Sequence, residues 1–162
     1  MATVEAERDS RFPVFELTYS DTTTPEATSA RSTDGMLLVR AADGGAFRTI
    51  SARIVSSPVP LRLKYRCTYI RFGLDGDRTD EAIGGERCPK EEADAITRVA
   101  FESKIYYRCW VAHADGPDEG VLNPAGSFWY ASGQFCGTAG DGSWITALEI
   151  KLPPIIEGWR TA

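Results

Sequence analysis

An apolar pattern that returns twice at a spacing of 49 residues constrains this chain more than any other feature. Phe47, Ile50 and Ala52 are matched by Ile96, Val99 and Phe101, and these in turn by Ile145, Leu148 and Ile150. An aspartate comes just before each set, at Asp43, Asp94 and Asp141. Two equal steps with matching context predict three copies of one supersecondary unit. The copies run over roughly 12–57, 58–103 and 104–152, with 153–162 as a C-terminal tail. A chain of 162 residues is long enough to bury a substantial core as one domain.

The opening strands extend the match. Leu63-Lys-Tyr-Arg-Cys67 and Ile105-Tyr-Tyr-Arg-Cys109 share Tyr-Arg-Cys, and each is followed by a second cysteine, Cys88 or Cys136. The first copy has neither: it opens with Val14 to Tyr19, and the counterpart of the second cysteine falls within Gly35 to Val39. Loss of both members together is what pairing within a copy predicts. The expected disulfides are therefore Cys67 with Cys88 and Cys109 with Cys136, out of three connectivities open to four cysteines. Four buried free thiols in a reducing compartment are the alternative.

Leu61 to Phe72 carries the strongest two-residue alternation, with Leu61, Leu63, Tyr65, Cys67 and Tyr69 on one face. Met36 to Arg40, Phe47 to Val55, Ile105 to Ala112 and the aromatic-rich Phe128 to Cys136 also read as strands. Thr18 to Asp34 reads as a long exposed loop or as two short edge strands. Gly73 to Glu81 and Asp115 to Gly120 have turn chemistry. Pro89 to Phe101 has good helix formers and an acidic first turn. Its counterparts contain Gly44-Gly45 and Gly140-Asp-Gly142, so Ile96 to Ser103 is expected as a strand. Ten to twelve short strands make an all-β domain, and threefold repetition narrows it to a β-prism or a β-trefoil, with a two-sheet β-sandwich as the remaining alternative.

A net charge of -5 and a pI near 5.0 argue against a nucleic-acid groove or an anionic membrane surface, which need a basic field. No apolar run approaches bilayer length. The first ten residues lack the pattern of a signal peptide, which points to the cytoplasm, whereas the paired cysteines point to a secreted or extracellular setting. The one histidine, His113, is expected to be an ordinary surface residue. Nucleophile elbows, phosphate loops and dinucleotide fingerprints are missing, and the cysteines lack the spacing of a zinc set. Asp75, Asp77 and Thr79 match the start of a calcium loop without its glycine or closing glutamate. No metal or cofactor is expected. A carboxylate pair for glycoside hydrolysis depends on the fold, not on spacing, and leaves a small hydrolase as an alternative.

Gly140 to Leu152 resembles the last strand pair of jacalin-related lectins, in which a glycine, an aromatic and an alternating apolar strand close a β-prism of three Greek keys. The cysteine-bearing copies also resemble egg vitelline-membrane outer-layer proteins, which share that prism. In the lectins the sugar-binding loop reads glycine, three residues, aspartate. Here Gly142 matches the glycine and Trp144 the aromatic, but Thr146 stands at the aspartate, and Asp141 would substitute only through a rearranged loop. The trefoil signature of ricin-type lectins is missing.

Sugars stack their C–H faces on aromatic rings and need polar partners for their hydroxyls at the rim. The candidate ligand-binding residues are accordingly Asp141, Gly142, Trp144, Trp129 and Tyr130, with Trp110 able to join them; the plainer reading puts Trp129 and Trp144 in the core. The expected function is non-catalytic carbohydrate or glycoprotein binding by a lectin-like module, with homo-oligomerisation as a route to avidity. A defence, pore-forming or protein-binding β protein is the alternative.

Overall fold

Alternating apolar positions pair into strands throughout the computed structural model, which describes residues 12–24, 26–71, 76–91, 93–114 and 116–154. The chain is all-β. Its first third supplies β1 (Val14–Asp21), β2 (Thr28–Arg31), β3 (Met36–Arg40) and β4 (Phe47–Ser56). The second supplies β5 (Lys64–Ile70), β6 (Arg78–Ile83), β7 (Arg87–Cys88) and β8 (Ala95–Glu102). The last supplies β9 (Tyr106–His113), β10 (Gly116–Gly120), β11 (Tyr130–Ala131), β12 (Cys136–Gly137) and β13 (Trp144–Lys151).

These strands form three antiparallel sheets of one construction. The first runs β2-β1-β4-β7, the second β6-β5-β8-β12 and the third β10-β9-β13-β3, with β11 also pairing with β9. In each sheet the first and last long strands of one third lie side by side, and the next strand in sequence covers one edge. The other edge receives a short strand from a different third: β7 in the first sheet, β12 in the second and β3 in the third. No third completes its sheet alone, so the three close cyclically on one another. The arrangement fits a β-prism or a sandwich-like fold and forms no barrel among the described residues.

One residue near the start of the closing strand of each sheet bulges, where the register with the opening strand shifts; β4 alone shifts again near its end. The residues near the start are Arg48, Thr97 and Thr146, again 49 positions apart. A bulge frees a backbone group. Thr97 Oγ1 donates to the Thr68 carbonyl at 3.2 Å, and Thr146 Oγ1 to the Trp110 carbonyl at 3.4 Å.

The core lies where the sheets' inner faces meet. Phe101 of β8 is fully buried, with ring centroids 6.0 Å from Phe15 of the first sheet, 6.0 Å from Tyr65 of its own and 5.2 Å from Tyr107 of the third. All nine apolar residues of the 49-residue pattern are buried. The two fully buried phenols, Tyr65 and Tyr107, are hydrogen-bonded. Tyr65 Oη accepts from the Ala52 N–H and donates to the Glu86 carbonyl, and Tyr107 Oη donates to the Gln134 carbonyl.

Three sequence expectations are corrected. Phe128 to Cys136 is not one strand: a turn at Ser132 and Gly133, at φ 55° and 81°, leaves only the two-residue β11 and the start of β12. Gly116–Gly120 is a strand where a turn was expected, because its backbone pairs with the free edge of β9. Arg78 to Glu81, read as part of an acidic turn, belongs to β6 and pairs with β5. The candidate calcium loop starts among residues outside those described, and its Thr79 hydroxyl is shared with Thr68 at 2.9 Å.

Candidate ligand-binding face

The sequence-predicted site residues separate in space. Trp144 and Trp129 sit toward opposite ends of the third sheet. Trp144 opens β13 opposite Ala112, whereas Trp129 packs over Arg108, which pairs with Glu149 five residues further along β13. At about 3.3 Å per residue that is roughly 16 Å of strand. Tyr130 is a core residue, stacked on Tyr107, with its hydroxyl donating to the Leu122 carbonyl at 2.6 Å. Burial pushes its phenol pKa up to about 12.

Asp141 and Gly142 organise their own loop. Asp141 Oδ1 accepts from the Ser143 hydroxyl at 2.6 Å and the Ser143 N–H at 3.0 Å, and Oδ2 accepts from Thr138 at 3.0 Å. Those bonds hold its carboxyl below the ordinary carboxylate range. Gly142 sits at φ 80°, which favours glycine. Three of roughly four acceptor positions on the carboxylate are thus used internally. Thr146, at the position of the lectin aspartate, is buried and bonded to backbone. Trp144 is half-buried, and its Nε1 has no hydrogen-bond partner.

The outer face of the third sheet has a different character. Strand register sets three rows across β3, β13 and the opening strand β9: Met36, Lys151 and Tyr106; Leu38, Glu149 and Arg108; Arg40, Ala147 and Trp110. Arg108 donates from Nε to Glu149 at 2.5 Å, while its guanidinium carbon lies 5.3 Å from the Trp110 ring and 4.6 Å from the Trp129 ring. Arg40 lies over Trp110 at 5.7 Å and Lys151 over Trp129 at 5.5 Å. Leu38, Tyr106 and Phe128 are 48 %, 45 % and 53 % exposed.

Trp129 and Phe128 reach this face on a loop built by the chain's single asparagine. Asn123 Oδ1 accepts from the N–H groups of Ala125 and Ser127, and its Nδ2 donates to the Trp129 carbonyl at 2.6 Å. Asparagine before proline and glycine is turn chemistry, and that was the sequence signal for this positioning residue. Tyr106 also borders a cavity of about 230 Å³ lined with Ser103, Ala131, Ser132 and Pro153. That volume lies below the 300–1,000 Å³ of pockets for drug-sized ligands, so it suits one small ring. A larger depression of about 460 Å³, around Leu61 and Ile83, has no aromatic ring in its lining.

The cysteines meet in the two expected combinations, as thiols. Cys67 Sγ of the second sheet lies 2.7 Å from Cys88 Sγ of the first, and Cys109 of the third sheet contacts Cys136 of the second. Tyr19 and Val39 occupy the equivalent positions at the remaining pair of sheets, as their strand partners show. Burial, then the neighbouring thiol, pushes the Cys67 and Cys109 pKa values up.

Among the described residues no group of three or more His, Cys, Asp or Glu could hold a metal, and no helix is long and apolar enough to cross a membrane. Comparison with protein families, curated proteins and solved structures found no match for this chain.

Proposed function

We propose that this protein is a non-catalytic carbohydrate-binding module and that it binds through the outer face of its third sheet. The observation that carries this reading is the platform of Trp110, Trp129 and Phe128 with Arg40, Arg108 and Lys151 among the rings. A sugar ring has an apolar face that stacks on such rings, and its hydroxyls accept hydrogen bonds from guanidinium and ammonium groups at the rim. The cavity beside Tyr106 adds the hydroxyls of Ser103 and Ser132 for a terminal residue. Two cross-sheet disulfides, Cys67 with Cys88 and Cys109 with Cys136, belong to this reading for an oxidising compartment. A glycan array with the purified protein tests it: selective binding lost in Trp129→Ala supports the face, and a blank array sinks the carbohydrate reading.

A further inference from the structure

Charge on this face is unbalanced, and in the direction opposite to the chain as a whole. The protein carries a formal net charge of -5. Among the described side chains of β3, β9 and β13 the face carries three cations, Arg40, Arg108 and Lys151, and one carboxylate, Glu149, which is committed to Arg108. Elsewhere the exposed cations Arg31 and Arg53 both bond Glu16 at 2.8 Å, and Lys64 lies 3.8 Å from both Glu81 and Glu102, while Arg62, Arg78 and Lys90 are exposed without a carboxylate partner among the described residues. The half-buried Arg66 and Arg98 close over Phe135, at 4.5 and 4.1 Å. Arg40 and Lys151 have no carboxylate partner among the described residues; each is exposed and lies against an indole.

Resting on the carbohydrate reading above, we propose that the ligand is an anionic glycan whose carboxylate or sulfate groups are held by Arg40 and Lys151 while its sugar rings stack on Trp110 and Trp129. Arg40 faces Ala147, and Lys151 is four residues further along β13. The two cations therefore stand roughly 13 Å apart along the strand, more than one ring can span. The face takes an oligosaccharide with acidic groups on at least two residues. Arg108 is already paired, so it orients the indoles rather than neutralising the ligand. Opposite potentials on face and ligand also speed encounter and make binding salt-dependent.

Isothermal titration with tetragalacturonate, a heparin-derived tetrasaccharide and neutral cellotetraose, at 20 and 300 mM NaCl, tests this. The expected result is binding of at least one acidic probe, ten-fold or more tighter than cellotetraose and weakened several-fold by salt. Arg40→Gln with Lys151→Gln should lose ten-fold or more against the acidic probe with an unchanged melting temperature. The two acidic arms separate carboxylate from sulfate. Equal, salt-independent binding of cellotetraose overturns the anionic proposal and leaves the carbohydrate reading in place. Failure of all three sugars overturns both, and binding to phosphatidylserine vesicles instead would assign the face to a lipid surface.

Discussion

The Arg108 guanidinium lies 4.6 Å from the centre of the Trp129 ring, which joins a strand of the third sheet to the Asn123 loop. Arg108 is held in turn by Glu149, so the orientation of the indole depends on an ion pair beneath it. Arginine stacked on tryptophan contributes about 0.5–1 kcal/mol when exposed and more when desolvated. Arg108→Ala should therefore cost little stability, about 1 kcal/mol, and weaken glycan binding several-fold by freeing Trp129. Titration calorimetry beside urea unfolding separates the two effects; an unchanged affinity would remove Arg108 from the platform.

Asn123 makes a second, separable prediction. Its side chain makes three bonds to backbone groups that shape the loop. Asn123→Ala should reduce glycan affinity while Asn123→Asp, which keeps Oδ1, recovers part of it. Trp129 fluorescence should shift toward that of an exposed indole in the alanine variant only. Equal spectra and affinities in both variants would contradict a positioning role.

Aromatic residues of all three sheets meet at Phe101 in the core. Phe101→Ala removes a fully buried ring and should cost about 3–5 kcal/mol in urea unfolding. Gly137→Ala tests the cyclic exchange of strands. A Cβ there would meet the Thr97 carbonyl oxygen at 2.3 Å and the Arg98 Cα at 2.9 Å, at a φ of +103°. It should cost more than 1 kcal/mol, whereas Gly140→Ala, at φ +82° but with nothing within 4 Å, carries the backbone penalty alone. Equal costs at the two glycines would contradict close docking of β12 on β8.

Stability should fall in alkali. Burial raises the phenol pKa values of Tyr65, Tyr107 and Tyr130, the last to about 12. The unfolded phenols ionise near pH 10. Because the folded state keeps these protons longer, their contribution is complete below about pH 10 and is lost as pH rises toward the folded values. At the acid end, Asp141 and Asp21 have lowered pKa values, so their contribution is present above about pH 4 and lost below it. Urea midpoints across pH 3 to 11, with phenolate absorbance followed at the upper end, check both limbs. A midpoint that rises above pH 10 would contradict the phenol assignment.

Sequence periodicity marked the fold well because the same residues that alternate also fill the core. Phe47, Ile96 and Ile145 lie near the starts of equivalent strands, next to equivalent bulges. Two stretches misled for opposite reasons. Gly116–Gly120 has the composition of a turn but gains its ladder from the edge of β9, a tertiary effect that local propensity cannot register. Phe128 to Cys136 has strand-forming aromatics, yet its turn at Ser132 and Gly133 breaks it.

The site was less legible for a topological reason. Trp129 and Trp144 fall in the same stretch of sequence but sit toward opposite ends of the third sheet. Arg40 joins Trp110 and Lys151 only because β3, from the first third of the chain, completes the third sheet. No local window contains that juxtaposition.

The most direct test of binding at this face is a two-dimensional 1H–15N NMR titration that follows the four tryptophan indole N–H signals as tetragalacturonate or the heparin-derived tetrasaccharide is added. Binding at this face should move the Trp110 and Trp129 signals with saturation and leave Trp144 still. Movement confined to Trp144 and residues 138–143, or no movement with either glycan, would contradict it.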